Sequence, residues 1–152
     1  MWLDEYCFRS LGYGIHSPML YRIVRGAMMP RHIIGTDHSL YDSLRHYRIG
    51  RRTAIRLQNL LTTEGYAEWR IDQLAGSGGL TILTPACTAE SVEEIVGALK
   101  EGTVCVTIPP LGCQRRRLCR RLVAQHPSMS AEKPRLMLFF AREDLRKQHI
   151  KI

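Results

Sequence analysis

Two short apolar runs, LTILT at residues 80–84 and VCVTI at 104–108, bracket a segment with helical periodicity, and this alternation constrains the fold more than any other feature of the chain. In CTAESVEEIVGALKEG, the residues Val92, Ile95, Val96 and Leu99 fall at offsets 0, 3, 4 and 7, which puts them on one face of a helix. Ser91 with Glu94 fits a capping box, and Glu90, Glu93 and Glu94 complement the positive end of a helix dipole. Lys100 and Gly102 mark the stop. VCVTI is apolar at positions that would face both sides of a sheet, as a covered parallel strand requires. Strand, helix and strand in that order predict a βαβ unit with a right-handed crossover.

The pattern continues to the end of the chain. After PPLG at 109–112 comes CQRRRLCRRLVAQH, where Leu118, Cys119, Leu122 and Val123 form an inward stripe and Pro127 ends the helix. RLMLFF (135–140) reads as a third strand and HIKI (149–152) as a fourth. The segment between them is too short for a helical crossover, so an antiparallel hairpin is expected. The first half reads as helical. Ser17 and Pro18 open a helix over 17–29, with Pro at its first position. Further helices are expected over 37–50 and 51–65, the latter with Ala54, Ile55, Leu57, Leu60 and Leu61 on its apolar side. EWRIDQL (68–74) reads as a fifth strand or as the end of a helix. The expected architecture is therefore α/β: a helical lead-in, 1–66, packed on a core, 67–152, in one compact unit. The core holds a mostly parallel sheet ending in an antiparallel hairpin.

Composition narrows the function classes. At 152 residues the chain suits one ordinary domain, and 45% hydrophobic with 24% charged residues excludes wholesale disorder. No apolar run reaches the length of a membrane span, and MWLDEYCFRS lacks the basic start of a secretory signal. A cytoplasmic protein without a membrane partner is the expectation. Five scattered cysteines with no CxxC predict free buried thiols rather than disulfides or zinc. The six histidines make no recognisable metal set, and His16 reads as an anchor beside the Ser17 cap. The net charge of +8 permits a nucleic-acid or other polyanion partner. Its densest feature is Arg115, Arg116, Arg117, Arg120 and Arg121, five arginines that would either track phosphates or form a solvated outer face.

GYGIHSPMLYRIV near the start, RIGRRTAIRLQNLL in the middle and RLMLFFAREDLRKQHIKI at the end together resemble a bacterial branch of the class I S-adenosylmethionine-dependent methyltransferases. Gly14, His16, Ser17 and Pro18 match that branch's Gly-x-His-Ser-Pro-Phe-like lead-in; Lys147, Gln148 and His149 match its terminal hairpin. The resemblance implies a Rossmann-like core with S-adenosylmethionine as cofactor. It also implies a glycine-rich segment after the first strand and an acidic residue ending the second. Here GSGG (76–79) precedes a strand and reads as a flexible turn, and 65–80 has no room for both of those strands and their helices.

The branch's acidic strand tips are replaced by LTPAC and IPPLG. The crevice assigned by topology is lined by Thr84, Pro85, Ile108, Pro109, Pro110, Leu111 and Gly112, with no carboxylate to orient a cofactor amine or take a proton. A partial, methyltransferase-like fold with no catalytic residue assigned and an incomplete cofactor site is the expectation. A sheet missing strands on one side leaves an open edge, which predicts a homodimer or another assembly role; binding of polyanions is the alternative.

Overall fold

The computed structural model describes residues 17–109 and 113–152. The chain divides into two compact units, one running up to Tyr66 and including Ile152, the other Ala67–Lys151. Among the described residues there are five α-helices, one π-helical stretch and a six-stranded mixed sheet.

In the first unit, α1 (Pro18–Ile23) begins as expected, with Ser17 Oγ accepting the Leu20 N–H at 3.3 Å and Pro18 in the first turn. Its continuation, Val24–Met28, is π-helical. The wider turn occurs where Gly26 approaches α3 (Arg51–Glu64): a Cβ on Gly26 would lie 2.7 Å from Thr63 Cγ2. The carbonyls released at the end of this helix are taken by arginines. Arg52 Nη2 donates to Met28 O and Met29 O at 3.1 Å each, Arg52 Nη1 donates to Pro30 O, and Arg56 Nε donates to Met28 O at 3.2 Å. Cations suit that end of a helix. Burial, with Arg52 alongside, pulls the Arg56 guanidinium down to about 10.

Between them, α2 (Ser39–His46) starts beside Asp37, whose Oδ1 accepts the Ser39 N–H at 2.9 Å. Two buried amides on α3 hold the intervening chain: Gln58 Oε1 accepts Tyr41 N–H, and Asn59 bridges Ile34 N–H and His32 O. The expected apolar side of α3 is buried throughout, and Gly65 ends the helix at φ +65°. Thr63 Oγ1 is buried with no hydrogen-bond partner. Thr63→Val should therefore raise the urea midpoint, by about 1 kcal/mol of stability, because a methyl fits where an unsatisfied hydroxyl now sits.

The second unit carries the sheet, in the order β1-β2-β3-β5-β4-β6. Its strands are β1 (Trp69–Ile71), β2 (Leu80–Leu83), β3 (Thr103–Thr107), β4 (Met129–Lys133), β5 (Leu136–Ala141) and β6 (Gln148–Lys151). EWRIDQL does supply a strand, though of three residues. β1, β2 and β3 are parallel; β5 runs antiparallel to both β3 and β4; β6 pairs parallel with β4.

The expected hairpin between the last two strands is wrong. β5 instead pairs with MSAEK, a strand the sequence reading missed, across a turn at Pro134 and Arg135, and β6 lies beyond it on the outer edge. Ala, Glu and Lys have low strand propensity, so that segment carries little local signal. Inserting β5 between β3 and β4 makes the sheet mixed, where a mostly parallel one was expected.

Helices α4 (Ala89–Gly97) and α5 (Cys113–Gln125) are crossovers: α4 joins β2 to β3 as expected, whereas α5 leads into β4 and not into the 135–140 strand. The cap of α4 is Thr88, whose Oγ1 accepts the Ser91 N–H at 3.2 Å, so Ser91 lies inside the first turn and does not cap it. Val92 and Val96 from α4 and Leu118, Cys119 and Leu122 from α5 bury against Leu83, Cys105, Met137 and Phe139 of the sheet. Cys87, Cys105 and Cys119 are free thiols. Burial, then the neighbouring Cys87 and Cys119, pushes the Cys105 thiol far up, so it behaves as a small apolar side chain.

The connection from β1 to β2, residues 72–79, is shorter than the dozen or so residues a parallel crossover normally takes. It manages this without a helix by pinning itself to its own strands. Ala75 N–H donates to Thr81 Oγ1 at 3.0 Å, Gly76 N–H to Glu68 Oε1 at 2.6 Å, and Thr103 Oγ1 donates to Gly76 O at 3.1 Å. A Cβ on Gly79 would lie 2.9 Å from Gly76 O, and Gly78 takes φ +71°. GSGG is thus an anchored crossing, where a flexible turn was expected.

Candidate functional site

The carboxyl ends of β1 and β2 hold a joint of three side chains. Asp72 follows β1 directly, at φ +56°, a left-handed conformation that Asp tolerates better than most residues. Its carboxylate accepts twice from the residue that follows β2: Thr84 N–H to Oδ1 at 2.7 Å and Thr84 Oγ1–H to Oδ2 at 2.7 Å. From the first turn of α5, Arg115 Nη2 reaches Thr84 O and Pro85 O at 3.2 Å and Cys87 O at 2.6 Å. A guanidinium here gathers carbonyls that a turning chain leaves without strand partners.

Arg115 was expected to point outward with the other four arginines, either tracking phosphates or lying on a solvated face. It is instead 8% exposed, and its Nη1 is buried with no hydrogen-bond partner. Arg116, Arg117, Arg120 and Arg121 are exposed as expected, in two rows of i, i+4 pairs. Arg121 is engaged by Glu93 of α4.

Of the crevice residues, Thr84 is buried and committed to Asp72, Pro85 is exposed, Ile108 is buried, and Pro109 is half-buried. Pro110, Leu111 and Gly112 lie outside the described residues, as do Gly14 and His16 of the lead-in motif. Neither Asp72 nor the inward role of Arg115 was anticipated. An acid directly after a Trp-Arg-Ile strand was the available signal for the first.

The chemistry of this joint is restrained. The Cys87 thiol is pushed up by burial and by the Asp72 carboxylate, with Arg115 opposing, so it is a poor nucleophile at neutral pH. Among the described residues no group of three His, Cys, Asp or Glu side chains is placed to hold a metal ion. No described helix is long and apolar enough to cross a membrane.

Lys147 and His149, near the end of the chain, have structural partners. Lys147 Nζ donates to Ala124 O in the last turn of α5, where a cation is favoured. His149 pairs Glu132 at 3.1 Å through Nε2 and meets Ser130 Oγ at 2.8 Å through Nδ1. His126 ends α5 in the core, its Nε2 2.7 Å from Phe140 O and its ring edge-on to Phe139 with centroids 5.4 Å apart.

Burial lowers the pKa of His126, so the folded state binds fewer protons than the unfolded chain just below the ordinary value of 6.5. Stability should then fall as pH is lowered through 6.5, and the loss should be complete below the folded pKa. The stability difference between wild type and His126→Gln, followed by urea titration across that range, should carry this slope, because the variant lacks the imidazole. No protein-family model, curated protein or solved structure matches this chain.

Proposed function

We propose that the chain is a methyltransferase-like, partial Rossmann-like scaffold whose strand tips serve as a structural joint rather than a cofactor site. The observation that carries this reading is the Asp72–Thr84–Arg115 arrangement. The carboxylate, the hydroxyl and one guanidinium nitrogen at the place where such sheets hold ligands are already spent on one another and on the backbone. The short crossing at 72–79 supports it too: β1 passes straight to β2, with no helix whose N-terminus could open behind a glycine loop to receive a charged ligand.

Calorimetric titration with S-adenosylmethionine and S-adenosylhomocysteine tests the reading. No binding heat is expected from either, and micromolar affinity for either one would overturn it.

The exposed arginines favour a second reading, a polyanion-binding face on α5. Arg116 and Arg120 occupy one row and Arg117 and Arg121 the next, and Glu93 is the carboxylate that pairs with this set among the described ion pairs. On this reading Arg116→Ala with Arg120→Ala weakens DNA and RNA binding uniformly across sequences. It also reduces the slope of log affinity against log salt by about two. An unchanged slope would remove the helix from consideration.

A further inference from the structure

A cavity of about 630 Å³ lies at the other end of the same unit, between the C-terminal halves of α4 and α5 and the chain that follows β5. None of the strand-tip residues lines it. Its volume is in the range that small-molecule sites occupy. Val96, Leu99, Leu122 and Leu145 give it an apolar floor. The single Ser128 Oγ–H lies between Arg142 O at 2.9 Å and Leu145 O at 3.2 Å and ties the chain after β5 to the far wall.

The charges around it do not cancel. Glu93 is held by Arg121, and Arg142 is held by Asp144 at 2.9 and 2.5 Å. Glu101 and Glu143 remain, without an ion-pair partner among the described residues. They sit together, because the Glu101 carboxylate accepts the Glu143 N–H at 3.2 and 3.3 Å. His126, also in the wall, is disposed by burial to stay neutral. Lys147, on Ala124 O, places one positive charge beside His126, so the negative charge of the mouth is concentrated on its Glu101 and Glu143 side, over the apolar floor.

We propose that this cavity binds small amphipathic cations: an amine or quaternary ammonium group seated at Glu101 and Glu143, with a hydrocarbon or aromatic body on the leucine and valine floor. An anion of the same shape is repelled by the same two carboxylates, and a neutral isostere gains the floor alone.

The test uses the full chain and three probes of matched shape, 4-phenylbutylamine, 4-phenylbutanol and 4-phenylbutyrate, followed by chemical-shift titration. For a ligand of this size a dissociation constant of about a millimolar is expected for the amine. The alcohol should bind about fivefold more weakly and the carboxylate not measurably. Glu101→Gln with Glu143→Gln should bring the amine down to the affinity of the alcohol. Gly97 lines the cavity, and a Cβ there meets nothing within 4 Å, so Gly97→Leu should fill the hollow in a folded chain and abolish binding of all three probes. Equal affinity for amine and alcohol in the wild type, amine binding that survives Gly97→Leu, or no amine binding at all would each overturn the proposal.

Discussion

Phe139→Ala should lower stability by about 4 kcal/mol, the loss expected when a wholly buried aromatic leaves a cavity that its neighbours cannot close. Phe139 is 0% exposed and sits on β5, the strand inserted between β3 and β4, paired in register with Cys105 on one side and Ser130 on the other. It packs in the cluster that joins α4 and α5 to the sheet, and its ring meets the edge of His126. Neither crossover helix can shift inward to fill the space without breaking its own contacts with Leu83, Cys105 or Met137. Phe139→Leu keeps most of the volume and should cost about 1.5 kcal/mol. Urea unfolding monitored by far-UV circular dichroism reads both variants. A loss below 1 kcal/mol for the alanine variant would mean that the cluster is not the core of this unit.

Arg115→Ala should cost about 3 kcal/mol, more than any of the four exposed arginines on the same helix. The carbonyls at 84, 85 and 87 lose the guanidinium, Thr84 O keeping only the Cys87 N–H, and the turn that carries the chain from β2 to α4 loses its hold on α5. Arg115→Met separates the two parts of that cost. It retains the stem that fills the space and removes a buried charge whose Nη1 makes no hydrogen bond, so it should lose about half as much. Arg116→Ala and Arg120→Ala, measured beside them, should each stay within about 0.5 kcal/mol of wild type. Thermal midpoints give the ranking directly. An Arg115→Ala variant as stable as Arg116→Ala would place the guanidinium in solvent and dissolve the joint on which the functional reading rests.

The two arginine classes show how far a one-dimensional pattern reaches. The stripe Leu118, Cys119, Leu122 and Val123 was legible because burial on a helix recurs with the turn, and a run of apolar residues at that period has one face to hide. The direction of Arg115 was not legible. Its long stem lets the charged head point to solvent or fold back, and the carbonyls that draw it inward lie some thirty positions away in the chain. The same holds for Asp72, which acquires its role only when β1 and β2 lie side by side and bring Thr84 within 2.7 Å.

Local order was written in the chain: the α/β class, the Ser17–Pro18 helix start, the strands at 80, 104 and 136, and the two crossover helices all follow from the periods and caps of contiguous residues. Tertiary structure alone decided that β5 enters between β3 and β4, that MSAEK becomes a strand, and that β6 lines the outer edge. Strand pairing is a choice among distant partners, made by which arrangement buries Leu138, Phe139 and Phe140 while pairing the strands' backbone groups; no window of neighbouring residues contains that comparison.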